Sequence, residues 1–193
     1  MHQGIQQTSG IEWVAVLLNL LYVLLIAKKI RWGWWSAFVS SILFTYLCIS
    51  TQLYIESALQ LFYVAMALYG WFIWNENSRE ERLIRKWSIQ SHVLNIAISS
   101  FVTLLLGYIM SKFTDQASPY LDAFTTVFSL TATFMAAKRV LENWLYWIVI
   151  DTAAIFLYAG RELYLASLQY LIFTIIAIFA YLSWVKMYQK QVV

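Results

Sequence analysis

One apolar helical pattern is written twice in this chain, across residues 11–74 and 121–184, at an ungapped offset of 110. Glu12 falls on Asp122, Asn19 on Ser129 and Ala27-Lys28-Lys29 on Ala137-Lys138-Arg139. Trp34 meets Trp144, Leu53-Tyr54 meets Leu163-Tyr164, Ser57 meets Ser167 and Trp74 meets Trp184. Only 12 of the 64 aligned positions are identical, so the register of charges, tryptophans and polar intrusions carries the reading more than identity does. Duplicated helical units in an apolar chain point to a transporter with its site between two halves.

Composition says what surrounds those helices. Of 193 residues, 62% are hydrophobic and 12% charged, against roughly 25% charged in a soluble domain. One Pro and six Gly leave long helices mostly uninterrupted. The expectation is an all-α integral membrane protein with a single membrane domain at 1–193. The net charge of +3 is no nucleic-acid signal, because the bases lie in short segments between helices. Cys48 stands alone and His2 is far from His92 in sequence, so neither a disulfide nor a metal centre is expected, and no cofactor is implied. Met1–Gly10 is polar without a charged leading region, which predicts no cleavable signal peptide.

Runs long enough for roughly 30 Å of hydrocarbon lie at about 11–27, 34–50, 53–74, 92–111, 121–137, 144–160 and 163–185. The chain therefore divides into a three-helix repeat (11–74), a loop, linker helix and second loop (75–120), a second three-helix repeat (121–185) and a tail (186–193). Three helices end on the side opposite their start, so a fourth crossing is needed before the second set can run parallel to the first. This is a 3+1+3 parallel-repeat bundle of seven transmembrane helices. One side of it receives Lys28, Lys29, Arg31, Arg79, Arg82, Arg85, Lys86, Lys138, Arg139, Lys186 and Lys190; the other receives Lys112 and Arg161. The positive-inside rule then puts the N-terminus outside and the C-terminus in the cytoplasm. The longest loop, Asn75–Gln90, mixes Glu76, Glu80 and Glu81 with its bases and reads as a solvated connector, with an anionic-lipid contact as the competing role.

Lipid satisfies no hydroxyl, amide or carboxylate, so polar helix faces should point into the bundle or a wet cavity. On the third span, Gln60, Tyr63, Ala67, Trp71 and Trp74 share a sector of about 80° at 100° per residue. On the fifth, Asp122, Thr126, Ser129 and Thr133 fall together; on the sixth, Asn143, Trp144, Trp147, Asp151 and Tyr158; on the seventh, Ser167, Tyr170, Thr174 and Tyr181. Each stripe has a plainer reading. Ser and Thr bond to their own backbone or join helices. Trp34, Trp35, Trp74 and Trp184, near helix ends, suit an interfacial belt. Trp71 and Trp147 sit farther inside and suit site lining better. Asp151 is the sharpest residue, about seven positions or roughly 10 Å into its helix. An ionised carboxylate there needs a partner or water, so it reads as a counter-ion for a cation, a proton carrier or half of a structural pair. Its repeat mate is Ser41, which makes the two halves chemically unequal.

The segments Tyr69-Gly70-Trp71-Phe72-Ile73-Trp74 and Glu142-Asn143-Trp144-Leu145-Tyr146-Trp147, the latter followed by Asp151, resemble the PnuC family of vitamin transporters. So do Asp122-Ala123-Phe124-Thr125-Thr126 and Ser129, and the resemblance runs from about 11 to 185. It implies a SWEET-like bundle in the bacterial inner membrane and transport of nicotinamide riboside, or of thiamine in some members. It further implies facilitated diffusion with kinases trapping the product, and members that can be homotrimers.

The residue chemistry agrees. Both vitamins carry a cationic aromatic ring, which tryptophan and tyrosine faces attract by about 0.5–2 kcal/mol each. The expected substrate-binding set is Gln60, Tyr63, Trp71, Trp74, Thr126, Ser129, Asn143, Trp144, Trp147 and Asp151. Tyr63, Trp71 and Trp147 clamp the ring, Gln60, Asn143, Thr126 and Ser129 read polar groups, and Asp151 offsets charge. Trp71→Ala and Trp147→Ala should weaken binding more than Trp184→Ala. No Lys or Arg lies in the span cores, so phosphorylated forms should be excluded. A heptahelical receptor is disfavoured because residues 163–185 hold no Lys for a retinal Schiff base; a membrane-embedded enzyme is disfavoured because no catalytic set is apparent.

Overall fold

The computed structural model describes residues 10–50, 54–74, 83–115 and 117–192. Expectations that fall on the first nine residues, Leu53, Glu76, Arg79, Glu80, Glu81 and Arg82 lie outside them. Among the described residues there are seven helices: α1 (Gly10–Ala27), α2 (Gly33–Ser50), α3 (Tyr54–Ile73), α4 (Ile89–Phe113), α5 (Pro119–Ala137), α6 (Asn143–Ala159) and α7 (Tyr164–Val192). By length and composition α1, α2, α4 and α7 can each cross a membrane, whereas the apolar stretches Leu59–Ile73 and Asn143–Ala159 are shorter. The chain forms two compact units, Met1–Glu76 and Asn77–Val193. In the first, α2 packs on both α1 and α3; in the second, α4, α5, α6 and α7 pack in sequence order.

The helix ends follow local chemistry. Ser88 caps α4, its hydroxyl accepting the Ser91 N–H at 3.1 Å, and Pro119 opens α5 where no N–H is needed. The turn after α1 has Lys29 at φ 57°, with Lys29 N–H donating to Ile26 O at 2.9 Å and Ile30 N–H to Leu25 O at 2.8 Å. The turn after α5 has Arg139 at φ 55°, with Arg139 N–H donating to Ala136 O at 3.0 Å and Val140 N–H to Met135 O at 2.9 Å. Both are Schellman closures with a left-handed C′ residue, and they recur at the offset of 110 seen in the sequence. A third follows α6, where Glu162 sits at φ 60° and Leu163 N–H donates to Tyr158 O. No glycine fills any of these positions, although a left-handed backbone costs an L-residue roughly 1 kcal/mol.

The tryptophans repeat as well. Trp34 meets Trp74 edge to face at 5.7 Å and 81°, and Trp144 meets Trp184 at 5.6 Å and 84°. All four rings are buried. This corrects the interfacial-belt expectation for Trp34, Trp74 and Trp184: an indole at a helix end finds more contact against its repeat partner than in a headgroup layer. Trp35 is exposed, as a belt residue would be. A Cβ on Gly70 would lie 2.3 Å from the Trp34 ring, so the glycine of Tyr69-Gly70-Trp71 is where that ring rests on α3.

Two further expectations change. The described part of the connector is docked through its backbone and Ile84, while Arg85 and Lys86 stay exposed as a solvated connector requires. Arg85 N–H donates to Arg139 O at 3.0 Å and Leu141 N–H to Arg85 O at 2.8 Å, a short parallel bridge laid on the α5–α6 turn. Ile84 is buried, its N–H donating to Gln191 Oε1 at 2.8 Å, and Lys86 Nζ lies 4.7 Å from the Tyr188 ring centre. The apolar side chain at Ile84 is what drives this segment down. The tail expected at 186–193 continues α7 as helix to Val192, because no Gly or Pro stops it and its Lys, Met and Gln residues favour helix.

Candidate functional site

Within the second unit, α6 carries the chemistry. Trp147 and Asp151 lie one turn apart, on the same face. Asp151 is 3% exposed and has no hydrogen-bond or ion-pair partner among the described residues. A carboxylate so placed is unfavourable when ionised unless a cation, a proton or water joins it. Trp147 is half-buried and packs with Phe124 and Tyr146 against a buried cluster of Phe128, Ala132 and Ile150. The face therefore offers an aromatic wall and, one turn on, a carboxylate.

Asn143 opens α6 and is fully buried; its amide nitrogen donates to Val140 O at 2.6 Å, while Oδ1 has no partner among the described residues. Trp144 beside it belongs to the Trp144–Trp184 pair, which moves it from site lining to core. On α5 the hydroxyl donors turn to their own backbone. Ser129 Oγ donates to Thr126 O at 2.8 Å, and Thr133 Oγ1 to Ser129 O at 2.8 Å. Such hydroxyls keep acceptor lone pairs but have no proton left to offer. Thr126 itself is half-buried. Asp122, the outermost member of the stripe, is ion-paired with Arg161 from the α6–α7 turn. Farther along, Tyr158 stacks on Tyr170 at 5.1 Å and 12°.

In the first unit, Gln60 and Tyr63 are half-buried on α3, Tyr63 meeting Phe62 edge to face at 5.8 Å. Trp74 is the partner of Trp34 and joins the core. Trp71 has a neighbour that sequence reasoning missed. The Arg31 guanidinium lies 3.5 Å from its ring centre, and Arg31 Nε donates to Trp71 O at 2.9 Å. Trp32 and Trp35 meet the same ring edge-on at 5.2 and 5.5 Å. Trp71 thus sits at the α1–α2 turn rather than deep in its helix, and an arginine already takes a cation's place on one ring face. Forty residues separate Arg31 from Trp71, and no local spacing signals the contact.

A second missed group joins α4 to α6. His92 Nδ1 and the Tyr146 hydroxyl are 3.0 Å apart, and Asn95 Nδ2 donates to that hydroxyl at 3.4 Å. Glu142 Oε2 accepts the Trp87 N–H at 3.3 Å and lies 3.9 Å from His92 Nε2. Glu142 and Tyr146 stood beforehand only as members of the Glu142-Asn143-Trp144-Leu145-Tyr146-Trp147 segment, with no role of their own. Among the described residues no group of three or more His, Cys, Asp or Glu side chains could hold a metal ion.

A model of the family described as nicotinamide mononucleotide transporter matches residues 9–186. The chain is 24% identical over 205 residues to the nicotinamide riboside transporter PnuC of Escherichia coli (strain K12), covering 92% of this chain and 86% of that one. It is 25% identical over 197 residues to the nicotinamide riboside transporter PnuC of Neisseria mucosa, covering 95% and 74%. The riboflavin/roseoflavin transporter RibM of Streptomyces davaonensis is 21% identical, covering 90% and 83%. Among solved structures, the crystal structure of the vitamin B3 transporter PnuC superposes with a TM-score of 0.74 over 96% of this chain and 85% of that one, at 21% identity. That likeness shows the fold.

Proposed function

Because the chain belongs to the nicotinamide mononucleotide transporter family, whose members move solutes rather than transform them, we propose that it carries nicotinamide riboside across the bacterial inner membrane by facilitated diffusion with alternating access. The observation that carries the substrate is Asp151, a buried carboxylate without a partner, one turn from Trp147. A pyridinium ring stacked on Trp147 brings its own positive charge toward that carboxylate, and the pair then satisfies a group that is otherwise unfavourable. Asn143 Oδ1, an acceptor still lacking a donor, suits the carboxamide or a ribose hydroxyl. On the same unit, Thr126 and Ser129 supply the remaining polar contacts of the reading.

The same residues argue against a phosphate. Among the described residues every Lys and Arg lies in a turn, in the connector or toward the C-terminal ends of α4 and α7. A mononucleotide at Trp147 would set its phosphate in the field of Asp151 with no cation to balance it. Riboflavin is neutral and gains nothing from the carboxylate. Inward movement of a monocation is favoured by roughly 2.3 kcal/mol per 100 mV of inside-negative potential, so entry needs no coupling ion. The orientation that goes with this reading has the N-terminus outside, as the charge census favours.

The test is calorimetric titration of the detergent-purified chain with nicotinamide riboside, its mononucleotide, thiamine and riboflavin, repeated on Asp151→Asn. The riboside should bind, the mononucleotide should not, and Asp151→Asn should weaken the riboside by about tenfold or more, the value of one well-placed charge interaction. Mononucleotide affinity equal to that of the riboside would defeat the assignment. Tighter binding of thiamine would keep the site and change its substrate.

A further inference from the structure

The linker helix does more than reverse the chain direction. Its first turns hold α6 through the cluster of Trp87, His92, Asn95, Glu142 and Tyr146, all of them half-buried. His92 lies between two groups: the Tyr146 hydroxyl at Nδ1 and the Glu142 carboxylate near Nε2. A carboxylate at Nε2 favours the tautomer with its proton there, which leaves Nδ1 to accept from the phenol. The phenol oxygen in turn accepts from Asn95 Nδ2. Tyr146 is then both donor and acceptor in fixed directions, and its ring lies stacked on the imidazole at 5.8 Å and 28°. The Trp87 ring also lies against His92, tilted by 53° at 5.5 Å.

The ring so fixed is a neighbour of the recognition face. Tyr146 and Trp147 each pack against the same cluster of Phe128, Ala132 and Ile150, and Tyr146 also lies 6.5 Å from the Phe128 ring. We infer that His92 and Asn95 are positioning residues: they fix Tyr146, and Tyr146 sets the lean of the Trp147 indole toward the substrate. Stacking falls away with small misplacements, so an aromatic platform needs a support whose own rotamer is locked. The described residues of the first unit show nothing equivalent. The offset mates of Glu142 and Tyr146 are Trp32 and Ser36, and Ser36 Oγ simply donates to Leu18 O at 2.7 Å. The brace is thus a property of the unit that carries Asp151, supplied by a helix outside the repeat.

This inference rests on the riboside reading, and one experiment separates the two. Riboside affinity and thermal midpoint are measured on the purified full chain, on Tyr146→Phe, His92→Ala and His92→Asn, and on the double variant Tyr146→Phe/His92→Ala. Tyr146→Phe and His92→Ala should each weaken binding by about fivefold, the effect of one hydrogen bond. His92→Asn, which keeps a polar atom near the place of Nδ1, should restore most of the loss. The double variant should bind no worse than either single one, because both remove the same bond. Tyr146→Phe deletes one oxygen and carries the test if His92→Ala does not fold. Binding by the unaltered chain with no loss in Tyr146→Phe, losses that add in the double variant, or no rescue by His92→Asn would overturn the brace alone. No riboside binding by the unaltered chain would overturn the substrate reading and the brace with it.

Discussion

The turns at residues 28–33 and 138–143 share a backbone and differ in nearly everything laid over it. Each closes a helix through a left-handed cationic residue and leads one residue past its end to the tryptophan of an edge-to-face pair. Over the second turn lies the connector, bridged to Val140 and burying Val140 and Leu141. Over the first, Ile30 and Trp32 stay exposed, and Arg31 folds onto Trp71. The backbone bonds and the tryptophan pair are what a helical corner needs in either copy. The cover is free to diverge, and in the second copy it has become an anchor for the linker helix. The same asymmetry extends to chemistry. Gly33 in the first copy is Asn143 in the second, and Ser41 is Asp151. A Cβ on Gly33 would meet Ile26 and Leu25 at 3.0 and 3.1 Å, so the first copy has little room for what Asn143 brings. The buried amide and carboxylate thus lie on the copy whose corner is tied down.

The largest effect should come from the contact that makes the first pair possible. In Gly70→Ala the new methyl meets the Trp34 ring at 2.3 Å. That ring is buried and bounded by Tyr22 as well as Trp74, so the helix must move. Overpacking of this kind should lower stability by roughly 2–3 kcal/mol. The mate is Ala180, which is itself buried, and Ala180→Gly should cost only about 1 kcal/mol through helix propensity. Thermal midpoints of the two purified variants decide the matter. Equal shifts would mean that the two tryptophan pairs rest on their third helices in the same way.

A smaller effect should separate the two covers. Val140 is 1% exposed beneath the connector, and its mate Ile30 is 39% exposed. Val140→Ala removes two buried methyl groups and should cost roughly 1.5–2.5 kcal/mol. Ile30→Ala removes more carbon from a site with less to lose, and should stay under about 1 kcal/mol. Urea titration followed by limited proteolysis at the connector reads both stability and release of the segment. A larger loss in Ile30→Ala would mean that the first corner has a cover of its own.

Where sequence reasoning succeeded and failed follows from the reach of each interaction. Helix spans were legible because charges and turn residues punctuate the apolar runs, and the observed starts and ends differ by a few residues except in α7. Asp151 was legible because a carboxylate inside an apolar run is conspicuous whatever the fold does. Trp34, Trp74 and Trp184 were misread because an indole near a helix end has the same periodicity whether it meets lipid headgroups or another indole. Arg31 on Trp71 and His92 on Tyr146 join residues 40 and 54 apart, and only packing decides such pairs. The docking of Ile84 was hidden for a similar reason: a few apolar residues in a charged loop are weak evidence until a surface exists to receive them.

The smallest effect tests the turns themselves. Lys29 and Arg139 occupy the same left-handed position at φ 57° and 55°, where glycine is relieved of roughly 1 kcal/mol of strain. Glycine also gives up more backbone freedom on folding, so the net gain should be a few tenths of a kcal/mol to about 1. If backbone conformation were all that mattered, Lys29→Gly and Arg139→Gly would stabilise the chain alike. Arg139 is 5% exposed, however, and its carbonyl accepts from Arg85, so its buried side chain fills space that glycine would leave empty. Lys29→Gly should therefore raise the thermal midpoint slightly, while Arg139→Gly should lower it, the cavity outweighing the relief of strain. Opposite signs from one substitution at two positions of equal φ would locate the difference between the copies in their covers, since the backbone term is common to both. Matching signs would put it back in the turn.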